Sequence, residues 1–231
     1  MEIRPIAHLR SDFPEKFGLP RQSGMARSLR GRIVFEREFR NPDALRGMDG
    51  VSHLWLIWEF SANRGPSKGW HPTVRPPRLG GNTHLGVFAT RSPFRPNPLG
   101  LSCVEIVSID YDSPDGPAIV VAGADMVDGT PIYDIKPYIR YSDSYPEAVC
   151  DFVDENQQKK LEVVFPDELK ARISRESTIV SLIEVLQLDP RPSYHDDPNR
   201  IYGMSFAGYN VRFKVGNGVL EVVAVNVRSR H

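Results

Sequence analysis

The sequence predicts a mainly β protein: an all-β domain over residues 1–155, then a small α+β domain over residues 156–231. Three observations predict it. Proline is abundant, at 20 residues, and clusters in the first 140 positions and around 190; that density excludes long helices and marks turns and strand ends. Before residue 155 the apolar residues come in short runs or in alternation, the period of strands. From about Pro166 the apolar spacing turns helical. With 40% apolar and 25% charged residues the chain has the composition of a soluble globular protein. Its formal net charge is zero, so any attraction to nucleic acid must come from a local patch.

Taken in order, IRPIAHLRS reads as a first strand and SDFPEKFGLPRQSG as a loop. GRIVFEREF alternates and reads as a strand. NPDALRGMDG reads as one short helix, with Asn41 as cap and Pro42 at its first position. VSHLWLIWEFS is near-continuously apolar, as in a buried strand, and residues 61–85 form a long polar loop of the kind that often carries function. THLGVFATR and LGLSCVEIVSIDY read as strands, AIVVAGADMVDGTPIYDI as another ending in a turn, and IKPYIRYSDSYPEA as a loop. DELKARIS and STIVSLIEVLQL have helical spacing, with Ser177 or Thr178 as cap. DPRPSYHDDP breaks the chain. IYGMSFAGYNVRFKVGNGVLEVVAVNVRS gives two or three antiparallel strands with a Gly-Asn-Gly turn at 216–218. The N-terminus lacks the apolar core of a signal peptide, and no apolar run is long enough to span a bilayer, so a cytoplasmic protein is expected. The two cysteines, Cys103 and Cys150, lack zinc-site spacing and read as small buried residues; no metal site is expected.

The zero net charge conceals a segregation. No acidic residue stands between Glu59 and Glu105, whereas Arg64, Lys68, Arg75, Arg78, Arg91 and Arg95 all do. Trp70, Phe88 and Phe94 are interleaved with them, which is the footprint that phosphates and stacked bases need; a solvated loop would look the same in charge alone. Inside this window GVFATRSPFRPNPLGL holds Pro93, Pro96 and Pro98, which fix the chain outside a sheet and keep Arg91, Arg95 and the amide of Asn97 still. Preorganised arginines lose less entropy on gripping an anion. Further on, Asp134, Lys136 and Tyr138 alternate and share one face if extended, a set suited to proton handling or to a simple cross-paired surface strand. Pro20-Arg21-Gln22 has little specificity by itself, and His53, Trp55 and Trp58 read more readily as core than as site. No GxGxxG follows a strand, and neither a GKS or GKT loop nor a GxSxG elbow is present.

The stretch GVFATRSPFRPNPLGLS, with WHPTVRPPRLGGN before it and VDGTPIYDIKPY after it, resembles the TsaA/TrmO family of tRNA methyltransferases that use S-adenosylmethionine. EKFGLPRQ, SHLWLIWEF, DPRPSY and YNVRFKV extend the resemblance over nearly the whole chain, including the smaller C-terminal domain of bacterial members. One departure is Pro93, where some relatives carry another residue. The resemblance implies an antiparallel β-barrel as the N-terminal domain, a homodimer, and N6-threonylcarbamoyladenosine beside the tRNA anticodon as methyl acceptor.

For the cofactor the resemblance implies Pro20, Arg21 and Gln22, then Ser61 and Ala62, Arg91, Leu101, and the turn Asp128, Gly129, Thr130 and Pro131. The residue types suit it. A carboxylate wants arginine or backbone donors, an adenine wants an apolar slot, and a sulfonium favours nearby oxygens. Asp134, Lys136 and Tyr138 are the candidates for removing the proton of the acceptor nitrogen or polarising its carbonyl. Arg64, Arg75, Arg78, Arg95 and Asn97 are the candidate substrate contacts; Arg95 or Lys136 would meet the threonyl carboxylate, and Asn97 a base edge. DPRPSY would add substrate contacts or serve as a structural turn. A non-catalytic RNA-binding barrel and a methyltransferase with another acceptor are the alternatives.

Overall fold

The structure is a computed structural model that describes residues 2–63, 70–76, 83–154, 160–192 and 197–228. Arg64, Lys68, Arg78 and Tyr194 lie outside these residues. The strands are β1 (Ala7–Arg10), β2 (Arg30–Phe35), β3 (His53–Glu59), β4 (Thr73–Val74), β5 (Leu85–Gly86), β6 (Leu99–Asp110), β7 (Ala118–Ala122), β8 (Pro131–Pro137), β9 (Glu162–Val164), β10 (Tyr202–Phe206), β11 (Tyr209–Gly216) and β12 (Val219–Val227). Four helices follow the first eight strands: α1 (Arg140–Asp143), α2 (Asp151–Asp154), α3 (Asp167–Lys170) and α4 (Glu176–Gln187).

The larger sheet closes on itself in the order β1-β2-β7-β6-β3-β8, with every pair antiparallel. Closure leaves the ring without a free edge. Alternation decides which side chains fill it: Leu9, Ile33, Leu54, Leu56, Ile119, Val121 and Ile132 point inward and are buried. Tyr133 is an extra residue on β8, between Asp134 opposite Ile57 and Ile132 opposite Trp58; such bulges re-aim side chains at barrel rims.

The second sheet runs β10-β11-β12-β9, with β9 parallel to β12, and α4 buries Ile179, Leu182, Val185 and Leu186 in the adjoining core. Asn217 and Gly218 have φ of 51° and 79° between Gly216 and Val219, the positive pair that a two-residue hairpin turn requires, where the Gly-Asn-Gly turn is expected. That core recruits Phe13, Ala26 and Leu29 from the long loop between β1 and β2. Phe13 meets Phe206 edge-on, and Gly18 (φ +92°) passes so close to Met204 that a Cβ there would lie 2.0 Å from its sulfur.

Several sequence expectations need correction. THLGVFATR is not a full strand: only Leu85 and Gly86 find a partner, in a ribbon with β4, and Val87–Ala89 curl into a 3-10 turn. NPDALRGMDG is two 3-10 turns, Pro42–Leu45 and Met48–Gly50, although Asn41 does cap the first through Asp43 N at 3.0 Å. The residue flanking α4 is Arg175, so Ser177 and Thr178 stand inside the helix, and Thr178 is buried. AIVVAGADMVDGTPIYDI is two strands, β7 and β8. Cys103 is half-buried and Cys150 exposed, because Cys150 lies on the solvated segment that follows the barrel.

Candidate active site

A cavity of about 460 Å³ opens where β3 ends and β6 begins. Five separate segments build it. Lys16, Leu19, Pro20, Arg21 and Gln22 come from the loop before β2; Trp55, Trp58 and Glu59 from β3; Phe60, Ser61, Ala62 and Asn63 from the turn after it. Thr90, Arg91, Pro93 and Arg95 come from the proline-rich loop, Leu99, Gly100 and Leu101 from the start of β6, and Asp125, Met126, Val127 and Thr130 from the chain entering β8. Most of the wall is apolar, and the polar groups converge in a few places, the usual build of a small-molecule site.

Local chemistry holds each piece. The loop from residue 90 to 95 folds on itself: Ser92 N donates to Thr90 Oγ1 at 3.3 Å, Phe94 N to Ser92 Oγ at 3.2 Å, and Arg95 Nη1 to Thr90 O at 2.8 Å. Arg91 donates to Gln22 Oε1, joining two walls, and Lys16 Nζ donates to Asn63 Oδ1 at 2.7 Å, joining two more. Val127 O accepts both Thr130 N at 3.2 Å and Thr130 Oγ1 at 2.7 Å. Gly129, at φ +78°, supplies the positive φ that this tight turn demands.

Deeper in the cavity, Trp58 Nε1 donates to Ser102 Oγ at 2.9 Å, and Ser102 Oγ donates to Asp125 Oδ1 at 2.6 Å. Gly100 lies opposite Trp58 and leaves room for the indole; a Cβ there would sit 2.3 Å from it. Burial pushes the Asp125 carboxyl above its ordinary value, and the Ser102 donor and the Arg91 charge pull part of the way back. Glu59, buried at the end of β3, accepts from Tyr133 Oη, which the β8 bulge turns toward it.

Of the expected cofactor residues, Pro20, Arg21, Gln22, Ser61, Ala62, Arg91, Leu101 and Thr130 line this cavity. Asp128, Gly129 and Pro131 do not; they form the turn that presents Thr130, with Asp128 Oδ1 accepting from Ser11 N at 3.1 Å. Asp134, Lys136 and Tyr138 stand one strand over. Lys136 is the cross-strand partner of Trp55 and Asp134 that of Ile57, and the Tyr138 ring lies 5.9 Å from the Trp55 ring. Asp134 and Lys136 share a face and pair at 2.9 Å. Among the expected substrate contacts, Arg95 lines the cavity, Asn97 is exposed beyond it, and Arg75 donates to His84 at 2.7 Å on the β4–β5 ribbon. In DPRPSY, Arg191 holds Asp189 through two bonds of 3.0 Å. Both line a smaller cavity of about 310 Å³ behind the loop of residues 16–21.

The cavity also holds residues that sequence reasoning left out: Trp55, Trp58, Glu59, Thr90 and Asp125. The two tryptophans read as core because their strand is apolar throughout. A signal for Glu59 was available, an acid closing an otherwise apolar strand and opening the acid-free window.

Residues 8–144 match the tRNA-methyltransferase O N-terminal domain and residues 158–228 the TrmO C-terminal domain. The chain belongs to the tRNA-methyltransferase O family. It is 37% identical to the Escherichia coli K12 tRNA (adenine(37)-N6)-methyltransferase over 98% of both chains. It is 36% identical to a putative S-adenosylmethionine-dependent methyltransferase of Pseudomonas aeruginosa, over 87% of both. Its fold is similar to the crystal structure of TrmO from Pseudomonas aeruginosa, with a TM-score of 0.79 and 29% identity over 98% of this chain and 97% of that one. In this tRNA-methyltransferase O chain the cavity opens in the residues of the N-terminal match, while part of its wall is braced by the C-terminal one.

Proposed function

We infer that the chain is an S-adenosylmethionine-dependent tRNA methyltransferase acting on N6 of adenine 37, with N6-threonylcarbamoyladenosine as the acceptor nucleoside. One observation carries this reading: each of the five scattered motifs implied for the cofactor sends at least one residue into one cavity, in a chain similar over 98% of its length to a protein named tRNA (adenine(37)-N6)-methyltransferase. The donor set suits the cofactor. Arg91, at the mouth beside Gln22, is a carboxylate ligand; Leu19, Pro20, Leu99 and Leu101 give an apolar slot; Asp125 and Glu59 favour cationic atoms. When bound, S-adenosylmethionine supplies a methyl group on a sulfonium.

The chain's own residues do the rest. The braced loops fix the reacting partners in line, where most of the rate enhancement of such a displacement arises. The acceptor nitrogen must lose its proton. Asp134 takes it, with its ion-pair partner Lys136, and Tyr138 further along against Trp55, polarising the acceptor carbonyl on the same barrel face. Arg95 meets the threonyl carboxylate. The functional unit is a homodimer, a reading supported by the exposed apolar side chains of Ile139, Tyr141, Tyr145, Val149 and Val153. The enzyme works in the compartment that holds its tRNA, the cytoplasm; no helix among the described residues is long and apolar enough to cross a membrane.

The test is methyl transfer from labelled S-adenosylmethionine to bulk tRNA from cells with and without threonylcarbamoyladenosine, followed by nucleoside mass analysis. Label on that nucleoside, in the first tRNA alone, is expected. Label in both tRNAs would discard the acceptor. No label together with no cofactor binding would retire the enzyme and leave an RNA-binding barrel.

A further inference from the structure

The geometry points to a base-stacking platform at the mouth of the cavity, built from Phe88, Phe94 and Trp70, that grips unpaired nucleotides next to the one being modified. It rests on the RNA-methylation reading above. Phe88 is 73% exposed, Phe94 58% and Trp70 51%. A ring that open adds little to the core, so the fold has no use for the three of them. The Trp70 and Phe88 rings stack loosely, with 29° between their planes and centroids 6.3 Å apart, and both keep half or more of their surface in solvent.

Their attachment points toward the site. Phe94 sits between Pro93 and Arg95, both of which line the cavity, and Phe88 stands just before the lining residues Thr90 and Arg91. The bonds from Ser92, Phe94 and Arg95 back into this loop brace the backbone that carries Phe94. A preformed aromatic surface binds a base without first losing its own freedom.

The occupant follows from charge. Arg75 and Arg91 are exposed on the same acid-free stretch, which would attract a phosphate backbone. A second copy of this chain is a poor occupant: a twofold seam sets a patch against itself and would oppose arginine to arginine. The other exposed apolar stretch, residues 139–153, carries Arg140 as well as Asp143, Glu147 and Asp151, so a twofold seam there can set unlike charges together. Aromatic faces set among cations, without acids, fit unpaired RNA bases, whose π-faces stack regardless of sequence. Such a platform also selects a loop over a duplex, because paired bases offer no free face.

The experiment is a cofactor-free titration of the full chain with an anticodon stem-loop RNA in which 2-aminopurine replaces a base beside the target adenine. Stacking should quench the fluorophore on the wild-type protein. Phe88→Ala and Phe94→Ala should each weaken Kd by about five-fold to a hundred-fold and reduce the quench. Phe88→Tyr and Phe94→Tyr, which keep a ring, should restore both. The salt dependence of Kd should keep its slope in all four variants, because no phosphate contact is removed. S-adenosylmethionine titration of the same samples checks that the cavity is intact. Unchanged Kd and quench in both alanine variants would overturn the platform, as would a change in sedimentation with RNA binding unaltered. Turnover is not read here, so a wild-type protein that stacks the RNA yet transfers no methyl would remove the functional reading and keep the platform.

Discussion

Asp125 lies half-buried at the end of the Trp58–Ser102 hydrogen-bond chain, where burial raises its carboxyl above the ordinary 3.8. An acid with a raised folded value holds its proton more tightly folded than unfolded. Stability therefore falls as pH rises above 3.8, and the full cost stands once pH has passed the raised folded value. Asp125→Asn keeps an acceptor for Ser102 and discards the charge. It should raise Tm at pH 7 by about 2 °C or more, with the gain disappearing on acidification, while methyl transfer drops. A lower Tm at pH 7 would contradict this account. Asp134→Asn tests a different role: if Asp134 takes the acceptor proton, turnover should fall at least about 100-fold with cofactor affinity intact, and full retention of turnover removes it as the base. Asp134 was legible in the sequence because alternation alone puts it beside Lys136. Asp125 was not, because its part depends on which strand passes behind it, and only the Trp58 to Gly100 register fixes that.

Strands with a single buried face were the most legible elements. β2 alternates as its partners require, and the two-residue turn at Asn217 and Gly218 follows from residue type. THLGVFATR misled because hydrophobicity there serves two ends: Val87 is buried, whereas Phe88 beside it is left open to solvent. Ring closure was implied by resemblance, not by period, since alternation does not say which strand meets which. The least legible element is the loop between β1 and β2, whose irregular sequence hides a double attachment. Gly24 N donates to Gly123 O of the barrel at 2.8 Å, while Ser28 N donates to Glu184 of α4 at 2.8 Å. Burial alone would raise the Glu184 carboxyl; the Ser28 donors outweigh it and hold the group below the ordinary 4.5. Its contribution is therefore complete above 4.5 and is lost as pH falls through the lower folded value. Glu184→Ala should weaken S-adenosylmethionine binding about five-fold or more by calorimetry, through loosening of the wall at residues 20–22. The variant and wild type should converge at pH well below 4.5. Equal affinities at neutral pH would detach the helix from the site.

For the whole molecule, the surface after the barrel is where self-association is expected. Tyr141 is 93% exposed, Val149 77% and Tyr145 74%, on one short segment of mixed charge. If the proposed homodimer closes through this surface, Tyr141→Asp with Tyr145→Asp should halve the mass read by sedimentation. A wild-type chain that sediments as a monomer would remove the homodimer, and a variant mass equal to a dimeric wild type would remove this surface as its seam. The shared loop has a further consequence, in the order of synthesis. Phe13, Gly18 and Leu29 leave the ribosome among the first residues, yet the groups they pack against, Met204 and Phe206 among them, are among the last. The barrel strands can pair as they emerge, but until the chain is finished the cavity wall has only its bonds to the barrel side, such as Gly24 N to Gly123 O, and lacks its packing on Met204 and Phe206. A prematurely terminated product would therefore carry a closed barrel with an incomplete site and an open, protease-accessible loop, so fragments of this enzyme would not compete with intact copies for cofactor.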